Sequence, residues 1–406
     1  MSAARSPSPI SVPRIEALHV RNYRALASLD LKGITPLTVL LGPNGSGKTT
    51  VFDVFAFLSE CFSSGLRKAW DKRGRFRELK TRGTDGPVVI EIKYRERHSD
   101  PLITYHVAIR EDPKGPYLAE EWLQWRRKES GRPLRFLDFG QGAGHVISGD
   151  RPDEDDARIP EDLQSRELLA VNSLGQLKRH PRVSALRDFI TSWHLSYLTA
   201  ESSRSVPEAG PQERLSPTGD NLANVAQYLA EQHPARLRDI FSILASRVPR
   251  LEKVTHEVMP DGRLLLLIKD APFDRPILAK YASDGTLKML ACLLVLHDPS
   301  PPSMIGIEEP ENHLHPLILP ALADECRSAS IRTQLMVTTH SPHFVNGIRA
   351  NELWLLNRND AGHTEALQAS AAQGVGDFVS HGGLLGDLWM EGYLTCPAAG
   401  ERQEGR

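Results

Sequence analysis

Residues Gly42 to Thr49 read GPNGSGKT, a match to G-x-x-x-x-G-K-[ST] set between the apolar run LTVLL and a helical pattern. No other stretch of the chain narrows its possible folds as much. Such a loop works by pointing successive backbone N–H groups and a helix N-terminus at a phosphate, and its glycines let the backbone come close. Gly42, Pro43, Asn44, Gly45, Ser46, Gly47, Lys48, Thr49 and Thr50 are therefore the candidate nucleotide-binding segment. Within it, Lys48 is suited to lie between β- and γ-phosphates, and the Thr49 hydroxyl to ligate Mg²⁺. A chance match in a chain of 406 residues has a probability of about 1%, and the strand–loop–helix setting lowers it further.

A phosphate loop of this kind needs a second strand that ends in a carboxylate. SMIGIEEPENHLHP, Ser303 to Pro316, supplies one: the apolar run Met304 to Ile307 meets Glu308 and Glu309. Burying an unpaired carboxylate costs several kcal/mol, so acids at a strand end call for a role. Glu308 is expected in the Mg²⁺ shell, directly or through water. Glu309 is expected to orient or deprotonate the attacking water. QLMVTTHSPHF ends another apolar strand on His340, a capping or core residue by itself, but a γ-phosphate contact if it shares the loop's sheet edge. YASDGTLKMLACLLVL places Ser283, Asp284 and Gly285 at the start of an amphipathic helix. They read either as an ordinary N-cap or as a phosphate-facing helix terminus. His313 and His315, two residues apart beside acids, show no third metal ligand.

Taken together, the loop, the Ser-x-Gly helix start, the strand ending in Glu-Glu-Pro-Glu and the strand-end histidine resemble the ABC-type ATPases of the RecF, SMC and OLD group. NYRAL near the start, IEEPENHLHP, TTHSPHF and GGLLGDLWMEGYL are similar to the stand-alone bacterial RecF-like AAA family ATPases. The resemblance implies an α/β P-loop NTPase of RecF/SMC-head type, with mixed and parallel sheet flanked by helices and an inserted helical and β lobe. It implies ATP and Mg²⁺ as ligands, Glu308 as the Walker B acid, Glu309 as base and His340 as switch histidine. Ser283, Asp284 and Gly285 become the signature that meets the other subunit's γ-phosphate in a head-to-tail homodimer. Asn312 to His315 become the D-loop, and Arg24 an arginine near the nucleotide. The signature departs from L-S-G-G-Q, and Gln124 and Gln141 are both open candidates for the Q-loop. No coiled coil separates the halves, and the stretch after His340 is too short for a C-terminal Toprim nuclease. The resemblance covers both ends of the chain, and the middle, 61–210, matches only loosely.

Domain boundaries are expected as a disordered leader over 1–14, an N-terminal ATPase part over 15–60, inserted strands and helices over 61–215, a C-terminal ATPase part over 216–395 and a disordered tail over 396–406. Residues 140–162 read as a loop, and 163–193 as helical. Net charge is −2, so nucleic acid would have to be met by a local patch. LRKAWDKRGRFRELKTR, residues 66–82, is the candidate, with eight basic residues against two acids, although such faces are usually just solvated. The four cysteines are far apart and fit a reducing cytoplasm. The longest apolar stretch, MLACLLVL, is far short of the ~20 residues that span a bilayer. The favoured function is an ATP-driven switch in DNA repair or anti-phage defence with a separately encoded nuclease or effector. A nucleotide-gated scaffold with little turnover and a transporter-type motor are the alternatives.

Overall fold

The computed structural model describes residues 13–98, 100–126 and 132–394. The expected leader lies outside the described residues up to position 12, and the expected tail, with Cys396, lies outside them altogether. Arg14, read as leader, already opens strand β1 (Arg14–Tyr23). A tight turn, with Asn22 and Arg24 at left-handed φ of 57° and 51°, leads into the antiparallel partner β2 (Leu26–Lys32). Strand β3 (Leu37–Leu41) is buried at every position, as its unbroken apolar run requires for a strand covered on both faces. The phosphate loop then passes into helix α1 (Lys48–Ser63), which buries Val51, Phe52, Val54, Phe55, Phe57 and Leu58. Each such side chain contributes about 1.5–3 kcal/mol of burial.

The basic stretch forms two short helices, α2 (Leu66–Lys72) and α3 (Arg75–Leu79). Six further strands follow: β4 (Val88–Arg95), β5 (Ile103–Asp112), β6 (Gly115–Trp125), β7 (Leu134–Gly140), β8 (Ala143–Ile147) and β9 (Arg158–Asp162). With β1 and β2 they make an eight-stranded sheet in the order β2-β1-β4-β5-β6-β7-β8-β9, antiparallel throughout. Residues 140–162 are thus not a plain loop. Gln141 (φ 53°) and Gly142 (φ 92°) make a hairpin turn, and Gly144 packs where a Cβ would lie 2.2 Å from the Asp138 carbonyl oxygen. Glycines and Pro160 break up the alternation that would have announced these strands.

The helical stretch 163–193 is likewise divided, into α4 (Ala170–Leu174) and α5 (Pro181–Thr191), because a proline at position 181 can only begin a helix. Fully buried Glu121 of β6 holds α4 in place, accepting from the N–H groups of Ala170 (2.5 Å) and Val171 (3.1 Å) and the Tyr105 hydroxyl (2.9 Å). Burial pushes its carboxyl up to about 7, against the pull of those three donors.

Next come β10 (His194–Ser196), α6 (Leu222–Gln232) and α7 (Pro234–Arg247). The hairpin expected around PDGR is present as β11 (Leu251–Val258) and β12 (Leu264–Asp270), with a short β13 (Ile277–Leu278) beside it. Helix α8 (Asp284–Leu296), β14 (Met304–Glu308), α9 (Leu319–Ala329), β15 (Gln334–Thr339) and α10 (Pro342–Val345) alternate as read from the sequence. Strands β10, β14 and β15 pair in parallel. Strand β16 (Leu353–Arg358) runs parallel to β3, and β17 (Thr364–Gln368) antiparallel to β16. Helices α11 (Val375–Ser380) and α12 (Leu385–Met390) end the described chain.

These elements fall into two compact units. Among the described residues, the first runs to Trp193 and takes in Asn351–Gln373 and Leu394, and the second comprises His194–Ala350 and Gly374–Tyr393. The first division falls at Trp193/His194, whereas the sequence reading put a boundary at 215. The phosphate loop and Arg24 belong to the first unit; Glu308, Glu309, His340 and the Ser-Asp-Gly segment belong to the second. Among the described residues no helix is long and apolar enough to cross a membrane.

Candidate nucleotide-binding and catalytic site

In the first unit, the loop Gly42–Gly47 owes its shape to glycines at specific points. A Cβ on Gly42 would lie 2.3 Å from the Leu356 carbonyl oxygen, and one on Gly47 would lie 2.2 Å from Thr364 Oγ1. Gly45 and Gly47 take φ of 79° and 102°, which other residues rarely adopt. Gly47 is the N-cap of α1 and, having no side chain, makes no side-chain hydrogen bond to the first turn. Lys48 is only 5% exposed; its ammonium donates to the carbonyls of Gly42 (2.7 Å) and Pro43 (3.1 Å). The Ser46 hydroxyl is buried without a hydrogen-bond partner. A lysine cation and an orphaned hydroxyl in one glycine-shaped loop at a helix N-terminus fit a phosphate group.

Arg24 is tied to α1, with its guanidinium 2.9 Å from Asp53 Oδ2. Asp53 also accepts from the Tyr23 hydroxyl (2.7 Å) and pairs with Arg73 (2.8 Å), and Arg73 pairs in turn with Glu60 (2.5 Å). The turn that carries Arg24 is joined to the phosphate loop through Thr364. Its N–H donates to the Ala25 carbonyl (2.9 Å) and its hydroxyl to the Ser46 carbonyl (3.0 Å). Gln124 sits in mid-strand opposite Thr104 and Arg135, and Gln141 in the β7–β8 turn. The basic stretch 66–82 is largely ion-paired, mostly with acids from outside it. Arg67 pairs with Glu167 (2.8 Å), Lys72 with Glu60 (2.6 Å), Arg75 with Asp71 (2.8 Å) and Lys80 with Asp85 (3.4 Å), while Arg73 is buried.

In the second unit, Glu309 and Glu311, just past the end of β14, contact His340. Glu308 closes the strand, and Glu309 turns off it at φ 44°, its N–H donating to the Thr338 carbonyl (3.0 Å). This turn sets Glu309 Oε1 3.4 Å from His340 Nε2, while Asn312 donates to Glu309 Oε2 at 2.9 Å. Both partners are partly exposed, Glu309 at 28% and His340 at 32% of the side chain, so a substrate can reach them. Glu311 has a different part. It is 8% exposed, and its Oε1 accepts from the Thr339 hydroxyl (2.6 Å) and the His340 N–H (2.9 Å), bracing the backbone that carries the histidine.

Ser283 caps α8, its Oγ accepting from the Thr286 N–H at 3.2 Å. Gly285 packs against His313, where a Cβ would lie 2.7 Å from the His313 carbonyl oxygen. Asp284 faces His313 at 3.6 Å and is gripped by Arg204, whose guanidinium also binds the carbonyls of Lys280 and Ala282 (2.9 Å). The Arg204 guanidinium holds the Asp284 carboxyl below its ordinary range. His315 accepts from the Leu317 N–H (3.2 Å) and starts a short 3-10 turn. Sequence reasoning missed Arg204 and Thr364. Both lie outside any motif, and each acts on a partner far away along the chain.

A protein-family model described as "AAA domain, putative AbiEii toxin, Type IV TA system" matches residues 37–346. Among solved structures, the chain is similar to an Smc head bound to the C-winged helix domain of ScpA. That match has a TM-score of 0.52 and 16% identity, and covers 87% of this chain and 98% of the other. It is also similar to an Smc head domain with an extended coiled coil, bound to the C-terminal domain of ScpA derived from Pyrococcus furiosus. There the TM-score is 0.51 and the identity 12%, with 91% of this chain and all of the other covered. No curated protein matches the sequence. At these identities the structural likeness is one of fold, that of an Smc head with mixed and parallel sheets flanked by helices. The family match spans well over half of the chain, and the chain belongs to this AAA-domain, AbiEii-like ATPase family.

Proposed function

We propose that the chain binds ATP with Mg²⁺ and hydrolyses it, as a nucleotide-dependent head-to-tail homodimer that switches a partner. The pairing of Glu309 with His340 at 3.4 Å carries this reading, because it puts a carboxylate and an imidazole at the ends of adjacent parallel strands. Gly42–Thr50 grips the phosphates through backbone N–H groups and Lys48, and Arg24 lies beside them. Thr49 and Glu308 offer the hard oxygen ligands that suit Mg²⁺. An ion held by Thr49 and Glu308 would neutralise phosphate charge. Glu309 accepts a proton from water as the water oxygen bonds to the terminal phosphorus, and the bond from that phosphorus to the ADP oxygen breaks. His340 orients Glu309 and the terminal phosphate, and Asn312 holds the second carboxylate oxygen in place. Ser283, Asp284 and Gly285 complete the site of the opposite subunit.

A cytoplasmic switch in DNA repair or anti-phage defence, acting with a separately encoded effector or nuclease and on DNA, is the wider setting we favour. The toxin wording of the family description supports the defence role, and the ScpA domains bound to the two Smc heads support a protein partner. The ion-paired state of the 66–82 stretch makes it a weaker DNA surface than its composition suggests. The test uses two variants. Lys48→Ala should lose MgATP binding in calorimetry. Glu309→Gln should keep binding and lose turnover by about 10²-fold or more, as removal of a general base does. Wild-type affinity in the first variant, or normal hydrolysis in the second, overturns the assignment. Binding without turnover in the unmodified chain identifies a nucleotide-gated scaffold instead.

A further inference from the structure

We infer that Thr364 is a positioning residue for the phosphate loop, an inference that rests on the nucleotide-binding reading above. Thr364 opens β17 and is 1% exposed. Its N–H is fixed to the Ala25 carbonyl at 2.9 Å, which leaves its hydroxyl aimed at the Ser46 carbonyl, 3.0 Å away. That carbonyl belongs to the peptide linking Ser46 to Gly47. A trans peptide is planar, with its C=O and N–H pointing in opposite directions. Holding the Ser46 oxygen on Thr364 therefore turns the Gly47 N–H away from Thr364, where it serves as a phosphate donor at the start of α1. Gly47 sits at φ 102°, and glycine takes either sign of φ at little cost, so this peptide is free to flip unless something anchors it. Flipped, it presents a carbonyl oxygen to a polyanion. Thr364 blocks that outcome, and its Oγ1 packs so tightly on Gly47 that a Cβ there would approach to 2.2 Å. Thr364 lies beyond residue 346, where the family match ends.

The test compares Thr364→Val, which keeps the shape and loses the donor, with Thr364→Ser, which keeps the donor. MgATP and inorganic triphosphate binding are measured by calorimetry on the full chain, alongside thermal unfolding. The Val variant should bind both ligands about tenfold more weakly, the effect of one lost hydrogen bond to a buried carbonyl. The Ser variant should stay within about twofold of the unmodified chain, a rescue that loss of packing alone does not produce. If Thr364→Val does not fold, Thr364→Ala is measured against Thr364→Ser in the same way. Undiminished triphosphate affinity in the folded donor-less variant overturns the inference, as does equal weakening in the Ser variant. Absence of MgATP binding in the unmodified chain overturns the nucleotide reading itself.

Discussion

Glu311 stands two residues from the proposed base, and replacing it distinguishes a brace from a proton acceptor. Its Oε1 takes two hydrogen bonds, from the Thr339 hydroxyl at 2.6 Å and the His340 N–H at 2.9 Å, in a position only 8% exposed. Hydrogen bonds to a charged acceptor contribute about 1.5–3 kcal/mol each. Glu311→Ala leaves both donors buried and unpaired, so it should lower unfolding stability by about 3–6 kcal/mol. Glu311→Gln keeps a carbonyl oxygen for both donors. Its amide nitrogen replaces Oε2, which has no hydrogen-bond partner, so the loss should be about 1 kcal/mol. Urea unfolding gives the stabilities, and phosphate release with saturating MgATP gives the turnover. The Gln variant should keep most of its turnover while the Ala variant loses it, because His340 is no longer held. A Gln variant as stable as the parent but slowed by about 10²-fold refutes this, and makes Glu311 the base.

Ser283→Arg should block ATP-induced dimerisation while leaving nucleotide binding by the single chain nearly intact. Mixing it with Lys48→Ala should restore activity, since one composite site then joins a sound loop to a sound signature; no rescue reduces Ser283 to the helix cap it forms on α8. Glu121 makes stability depend on pH. Its folded pKa, raised to about 7, means that above the ordinary 4.5 the folded chain keeps a proton the unfolded chain has released. Stability should therefore fall as pH rises from about 4.5 to about 7, by on the order of 3 kcal/mol in total. Glu121→Gln should remove this slope in urea titrations, and an unchanged slope shows that other groups set it.

The phosphate loop, the Glu308–Glu309 strand end and the strand before His340 were legible because each signal is local. A fully apolar run, a glycine pattern and a helix start within a few residues define the element and its bounds together. The side chains that hold these pieces were not legible. Thr364 reaches Ser46 across 318 residues and Arg204 reaches Asp284 across 80, and no spacing rule connects such pairs. The basic run 66–82 carries less free charge than its composition shows. Its partners Asp53, Glu60 and Glu167 come from outside it, so composition alone overstated the free charge. Strands β8 and β9 were missed because short, glycine- and proline-broken segments pair only when a neighbouring strand supplies the register.

The three-way grip of Arg204 on Lys280, Ala282 and Asp284 has a consequence for association kinetics. Ordering a loop and its side chains on binding costs about 0.5–1.5 kcal/mol for each immobilised side chain. The segment before α8 has already met that cost during folding, so under the dimer reading proposed above the second subunit would meet it in a fixed shape. Its capture should need no slow rearrangement of this loop, and encounter rates should follow charge and diffusion. Arg204→Ala should leave the same chemical groups in place yet slow productive encounters, since only a fraction of collisions would then find the loop correctly arranged.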